Sequence, residues 1–163
     1  VLKDKVHFRD SKNRLESLNK LKKEINSDNQ FELGWLLHLF VDYCWDEKMI
    51  SSFKEKYRVY ESSNEWFIKY REETSLASYC LYHKYDWSIK IWEQIKKADL
   101  SAINSTLPVT QSDIEPYIER VYKKHSESDR NSVSKEYSEE IISDFVKTTA
   151  KKYRDWILNG EYD

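Results

Sequence analysis

Only two Gly and two Pro stand among 163 residues, and that scarcity limits the fold more than any other feature. Average usage is about 7 % Gly and 5 % Pro. Without glycine there is no phosphate-cradling loop, no dinucleotide fingerprint and no nucleophile elbow. Without either breaker there is no series of tight hairpin turns. A chain this rich in Lys, Glu, Leu and Tyr is then helical. Aromatic residues make up 15 %, with six Trp and twelve Tyr, so it has the material for a core that disordered chains lack.

Charge excludes further classes. Lys and Arg total 27, Asp and Glu 29, for a net charge of −2. That balance offers no bulk attraction to nucleic acid, and no nucleic-acid partner is expected. Charged residues interrupt every apolar window, so no transmembrane segment is expected. No signal peptide is visible, which points to the cytoplasm. The sequence opens Val1-Leu2-Lys3-Asp4 without Met; truncation at the N-terminus is expected, and a secretion signal upstream stays open. Cys44 and Cys80 are too few for a disulfide framework and read as small buried residues.

Periodicity divides residues 1–163, read as a single domain, into about six helices. The first starts at a cap on Asp10 or Ser11 and runs to Ile25, with Leu15, Leu18, Leu21 and Ile25 on one face. Asn26 to Asn29 form a capped turn. Residues 30–49 follow, apolar nearly all round between Leu33 and Trp45, which reads as a central helix. A helix from Ser51 to Tyr60 ends in Glu61-Ser62-Ser63-Asn64. The long stretch 65–97 allows a break at Tyr85-Asp86. Residues 99–112 are the main loop. A short helix covers 113–124 with Pro116 in its first turn. Residues 126–132 are a loop, and a last helix covers 133–158, with Tyr137 on its core stripe and Gly160 at its end.

Chemistry concentrates on His38 and Asp42, four residues apart and so stacked on one helical face. Burying a carboxylate requires a cation, a hydrogen-bonding partner or a metal. Two readings fit the spacing: half of a divalent-metal site, or a buried His–Asp pair tying two helices. His7, in the loop Lys5-Val6-His7-Phe8-Arg9, is ordinarily a surface residue and gains weight only as a third ligand. Asp46 extends the same face and reads as solvated near the helix end, or as a group supporting the ligands. His83 reads as core-edge. His125 and Asp129 repeat the spacing in a polar segment and read as a solvated coincidence. Gly34, mid-helix at a cost of about 1 kcal/mol, implies close approach of a backbone or a ligand, packing being the simpler cause.

The segment Phe31-Glu32-Leu33-Gly34-Trp35-Leu36-Leu37-His38-Leu39-Phe40-Val41-Asp42-Tyr43-Cys44-Trp45 resembles the central helix of the zinc-dependent phospholipase C family, particularly its small bacterial hydrolase-like members. Lys3-Asp4-Lys5-Val6-His7-Phe8 resembles their earlier Lys-Asp-x-x-His-Phe stretch. The likeness is specific over residues 3–60 and only compositional afterwards. It implies an all-α phospholipase C-like bundle that binds zinc through His7, His38 and Asp42. Asp42 would bridge ions and serve as the catalytic carboxylate. It also implies hydrolysis of phosphodiester bonds by metal-activated water, with phospholipid head groups as the family's substrate and a soluble phosphodiester or phosphomonoester as an equal alternative. Further family ligands, a His and an Asp upstream, have no equivalent in this sequence. Neither does the later His-x-x-x-Glu, since His83 and His125 lack a Glu four residues on. Two alternatives stand beside this enzyme: a non-catalytic helical scaffold or partner-binding module, and a protein that keeps the fold without the metal centre.

Overall fold

The computed structural model describes residues 7–9, 11–57, 65–98 and 111–159. Every regular element among them is helical. In chain order these are α1 (Arg14–Glu24), α2 (Gln30–Trp45), a π-helical turn (Asp46–Ile50), α3 (Ser51–Lys56), α4 (Glu65–Lys84), α5 (Asp86–Lys96), α6 (Gln111–Ser126) and α7 (Glu139–Asn159). Since α2, the π turn and α3 run on without a gap, the elements form six helical rods. No described helix is long and apolar enough to cross a membrane.

The chain gathers into two compact units. The first contains Val1–Val59 and Asp144–Asp163, and the second contains Tyr60–Ser143.

In the first unit the caps set where helices begin. Asn13, rather than Asp10 or Ser11, caps α1 by accepting the Glu16 N–H at 3.1 Å. Asp10 lies outside the described residues. Ser11 instead bonds through Oγ to Ser17 Oγ at 2.9 Å. Asn29 caps α2, accepting from Phe31 N at 3.0 Å, and Glu32 Oε2 reaches back to Asn26 N at 2.7 Å. This reciprocal arrangement satisfies donors that the first helical turn leaves unpaired. The core contains Leu18, Leu36, Leu39, Phe40, Phe53, Phe145 and Trp156, all 4 % exposed or less. Phe40 stacks on Trp156 at 4.8 Å between ring centroids. Trp156 also donates from Nε1 to Asn19 Oδ1 at 2.7 Å, so its polar edge is satisfied as a buried indole requires.

The expectation that α2 is enclosed on all sides is corrected. Leu36, Leu39, Phe40 and Cys44 are buried, but Leu37 is 41 % exposed, and Gly34 and His38 are exposed as well. Burial follows the three- and four-residue spacing of one face, although composition is apolar on both. Gly34 shows no close approach: a Cβ built there meets nothing within 4 Å.

The second unit packs α4, α5 and α6 together. The break falls at Tyr85, whose extended backbone (φ −120°, ψ 120°) separates α4 from α5. Helix α6 begins at Gln111 and places Pro116 inside the helix, beyond its first turn. The last helix starts at Glu139, not at 133. Residues 133–138 are non-helical because Ser134 and the backbone after it are bound elsewhere. Ser134 Oγ, Lys135 N and Glu136 N all donate to Glu73 Oε2, at 2.7, 2.8 and 3.2 Å. Ser138 then caps α7 by accepting from Ile141 N at 3.3 Å. The expected ends at Glu61 to Asn64, the loop over 99–110 and Gly160 lie outside the described residues.

Candidate metal centre

His7 reaches the centre from a short turn at residues 7–9, in which Phe8 adopts a positive φ of 54°. That left-handed conformation is uncommon for a bulky residue. His38 and Asp42 stand on successive turns of α2. His7 Nδ1 lies 2.7 Å from Asp42 Oδ2, and His38 Nε2 lies 3.9 Å from the same oxygen. The two imidazole rings meet edge to face with centroids 5.1 Å apart. One ligand atom from each of the three residues falls within 4.8 Å of the others, and they are the one such trio among the described residues.

An ionised carboxylate only accepts, so His7 Nδ1 carries the proton of this bond and Nε2 keeps the lone pair. Burial pushes the His7 pKa below its ordinary value, opposed by the hydrogen bond and charge of Asp42. The shift keeps the imidazole neutral, the form that ligates.

The environment differs from the expected apolar interior. The Asp42 side chain is 25 % exposed and His38 57 % exposed, so the centre opens to solvent on the flank of α2. Burial of Asp42 therefore demands less compensation than its apolar neighbours in sequence suggest. Asp46 is neither at a helix end nor merely solvated, because the π turn continues the rod through it. Its Oδ2 accepts from Arg14 Nη1 at 2.6 Å and from Arg9 Nε at 3.3 Å. Arg9 also places Nη2 3.6 Å from Asp42 Oδ2. Sequence patterning gave Arg9 no role; its only signal was its position two residues after His7.

None of the remaining candidates belongs to a metal-ligating group among the described residues. His83 Nε2 bonds to the backbone oxygen and Oγ of Ser128, each at 3.0 Å. His125 is not solvated: Nδ1 engages the Val121 carbonyl at 2.8 Å, and the ring packs among Tyr79, Tyr82 and Trp92. It forms no metal group with Asp129. Cys44 is buried and Cys80 half-buried, both as free thiols. A groove of about 520 Å³ in the first unit is lined by Tyr43, Cys44, Glu47, Lys48 and Lys152, among others, and none of the trio lines it.

Searches of family descriptions, of curated proteins and of solved structures give no match to this chain.

Proposed function

We propose that His7, His38 and Asp42 hold a divalent transition metal, zinc by the nature of the donors, and that the protein is a zinc-dependent phosphoester hydrolase of the phospholipase C-like kind. The observation that carries the reading is the convergence of a turn histidine with a His–Asp pair on α2, ligand atoms within 4.8 Å. A tetrahedral zinc with bonds of about 2.0–2.1 Å spaces its ligand atoms roughly 3.4 Å apart. The 2.7 Å between His7 Nδ1 and Asp42 Oδ2 is a hydrogen bond, so an ion would take the place of its proton, with the two atoms parting slightly and the exposed His38 ring turning to give the third ligand. Two imidazoles and a carboxylate match the donor sets of catalytic zinc, which keep a further position open. The all-α architecture and the likeness of residues 3–60 to the family support the same reading.

Zinc, when bound, supplies Lewis acidity and lowers the pKa of water. The chain supplies the rest. Burial lowers the His7 pKa and so favours the uncharged imidazole that ligates. Asp42 Oδ1, which no described residue engages, takes the proton from the water that attacks phosphorus and passes it to the leaving oxygen as the ester P–O bond breaks, so that the alcohol departs neutral. The open flank beside His38 admits a phosphoester, whether a lipid head group or a soluble ester.

One observation favours the non-catalytic alternative. Asp42 has a hydrogen bond from His7 and the Arg9 guanidinium 3.6 Å away, so it is compensated without any ion. Both readings are decided by metal analysis of chelator-stripped protein. Zinc binding at one equivalent, phosphoester hydrolysis restored by zinc, and loss of both in Asp42→Asn support the hydrolase. A protein that takes up no zinc and hydrolyses no phosphoester leaves a helical module in which the trio is structural.

A further inference from the structure

We propose that Arg9 is the substrate-positioning residue of this centre, and that it selects a dianionic phosphomonoester over a monoanionic diester. This rests on the metal reading above and adds the substrate class to it. Arg9 and Arg14 face Asp42 and Asp46, two cations against two anions. The quartet carries no net charge. A divalent cation on the trio raises it to +2, which matches a phosphate monoester at about −2 and exceeds a diester at −1.

Arg9 is the member free to respond. Arg14 is 12 % exposed and holds Asp46 at 2.6 Å, so Asp46 stays neutralised without Arg9. Arg9 is 34 % exposed, and its contacts of 3.3 and 3.6 Å are longer than the roughly 2.7–2.9 Å of a tight charge-assisted bond. A cation on Asp42 competes with Arg9 Nη2 for the same oxygen. The displaced guanidinium fork then faces the open side of the centre, where two parallel N–H groups suit phosphoryl oxygens.

Binding linkage tests this without reference to turnover. Zinc affinity is measured at mildly alkaline pH with a competing chromophoric chelator, alone and with methylphosphonate (there mostly a dianion) or dimethyl phosphate (a monoanion). In the unaltered protein, methylphosphonate is expected to tighten zinc about tenfold, within the usual range of coupling between sites, and dimethyl phosphate far less. Arg9→Gln is expected to bind zinc alone at least as tightly and to lose most of the methylphosphonate effect. Arg9→Lys, which keeps the charge without the fork, falls between them and carries the test should Arg9→Gln fail to fold by circular dichroism. An undiminished methylphosphonate effect in Arg9→Gln overturns the role of Arg9 while zinc binding stands. Equal effects of the two anions overturn the dianion preference. No zinc binding by the unaltered protein overturns the metal reading and this proposal with it.

Discussion

Glu73, a buried carboxylate in the middle of α4, accepts a hydrogen bond from Ser134 Oγ across 61 residues of sequence, at 2.7 Å. Ser134 in turn accepts from Tyr137 N at 2.9 Å, so one carboxylate organises the whole approach to α7. Removing it leaves the buried Ser134 Oγ and the part-buried Lys135 N–H without this acceptor, while Glu136 N keeps Ser134 Oγ at 3.2 Å; each unsatisfied group costs about 1–3 kcal/mol. Glu73→Ala is therefore expected to lower the urea midpoint by an amount equivalent to about 2–4 kcal/mol, with little change in slope. Glu73→Gln, which retains one acceptor oxygen, loses less. Equal midpoints for Glu73→Ala and the unaltered protein would show that the 134–137 segment is held by other contacts.

That same bond explains where sequence reasoning stopped. Apolar periodicity runs smoothly from Val133 through Leu158, and nothing local marks 133–138 as non-helical; the acceptor that captures this segment lies on another helix. The caps at Asn29 and the break at Tyr85 were legible because a short polar turn and a change of phase are local signals. The π turn after Trp45 has no compositional mark, and it keeps Asp46 in the rod instead of at its end. At the centre, His38 and Asp42 were legible from helical spacing, and His7 only through the family resemblance. Their convergence spans 35 residues of chain. The exposure of His38 was hidden by apolar neighbours that do not all face inward.

Gly34 sets a second expectation. It is helical and exposed, and a Cβ there meets nothing within 4 Å. Alanine favours a helix interior over glycine by about 0.8–1 kcal/mol, partly by restricting the unfolded chain. Gly34→Ala is thus expected to raise stability by about that amount in chemical denaturation. A destabilised variant would mean that the space beside Gly34 is filled in solution.

The two thiols differ in reach. Cys44 is 7 % exposed, and burial raises its pKa above the ordinary thiol value, so less of the reactive thiolate forms near neutral pH. Cys80 is only half-buried. In native protein iodoacetamide is expected to modify Cys80 first, with Cys44 reacting only as the first unit opens. Peptide mapping against time reads this directly, and faster labelling of Cys44 would refute the assignment.

His38 separates ligation from architecture. Its side chain is 57 % exposed, and among the described residues it engages Asp42 and His7. An exposed substitution away from packing changes stability by within about 0.5 kcal/mol, so His38→Ala in chelator is expected to unfold like the unaltered protein. Zinc at about one hundred times its dissociation constant stabilises a folded protein by roughly 2.7 kcal/mol. Most of that gain is expected to vanish in His38→Ala, because two remaining ligands hold the ion far more weakly than three. Paired thermal melts with and without zinc measure both halves. If His38→Ala keeps the full zinc-induced shift, His38 is not a ligand and the ion sits elsewhere. If it melts early even in chelator, the ring serves the fold rather than the centre.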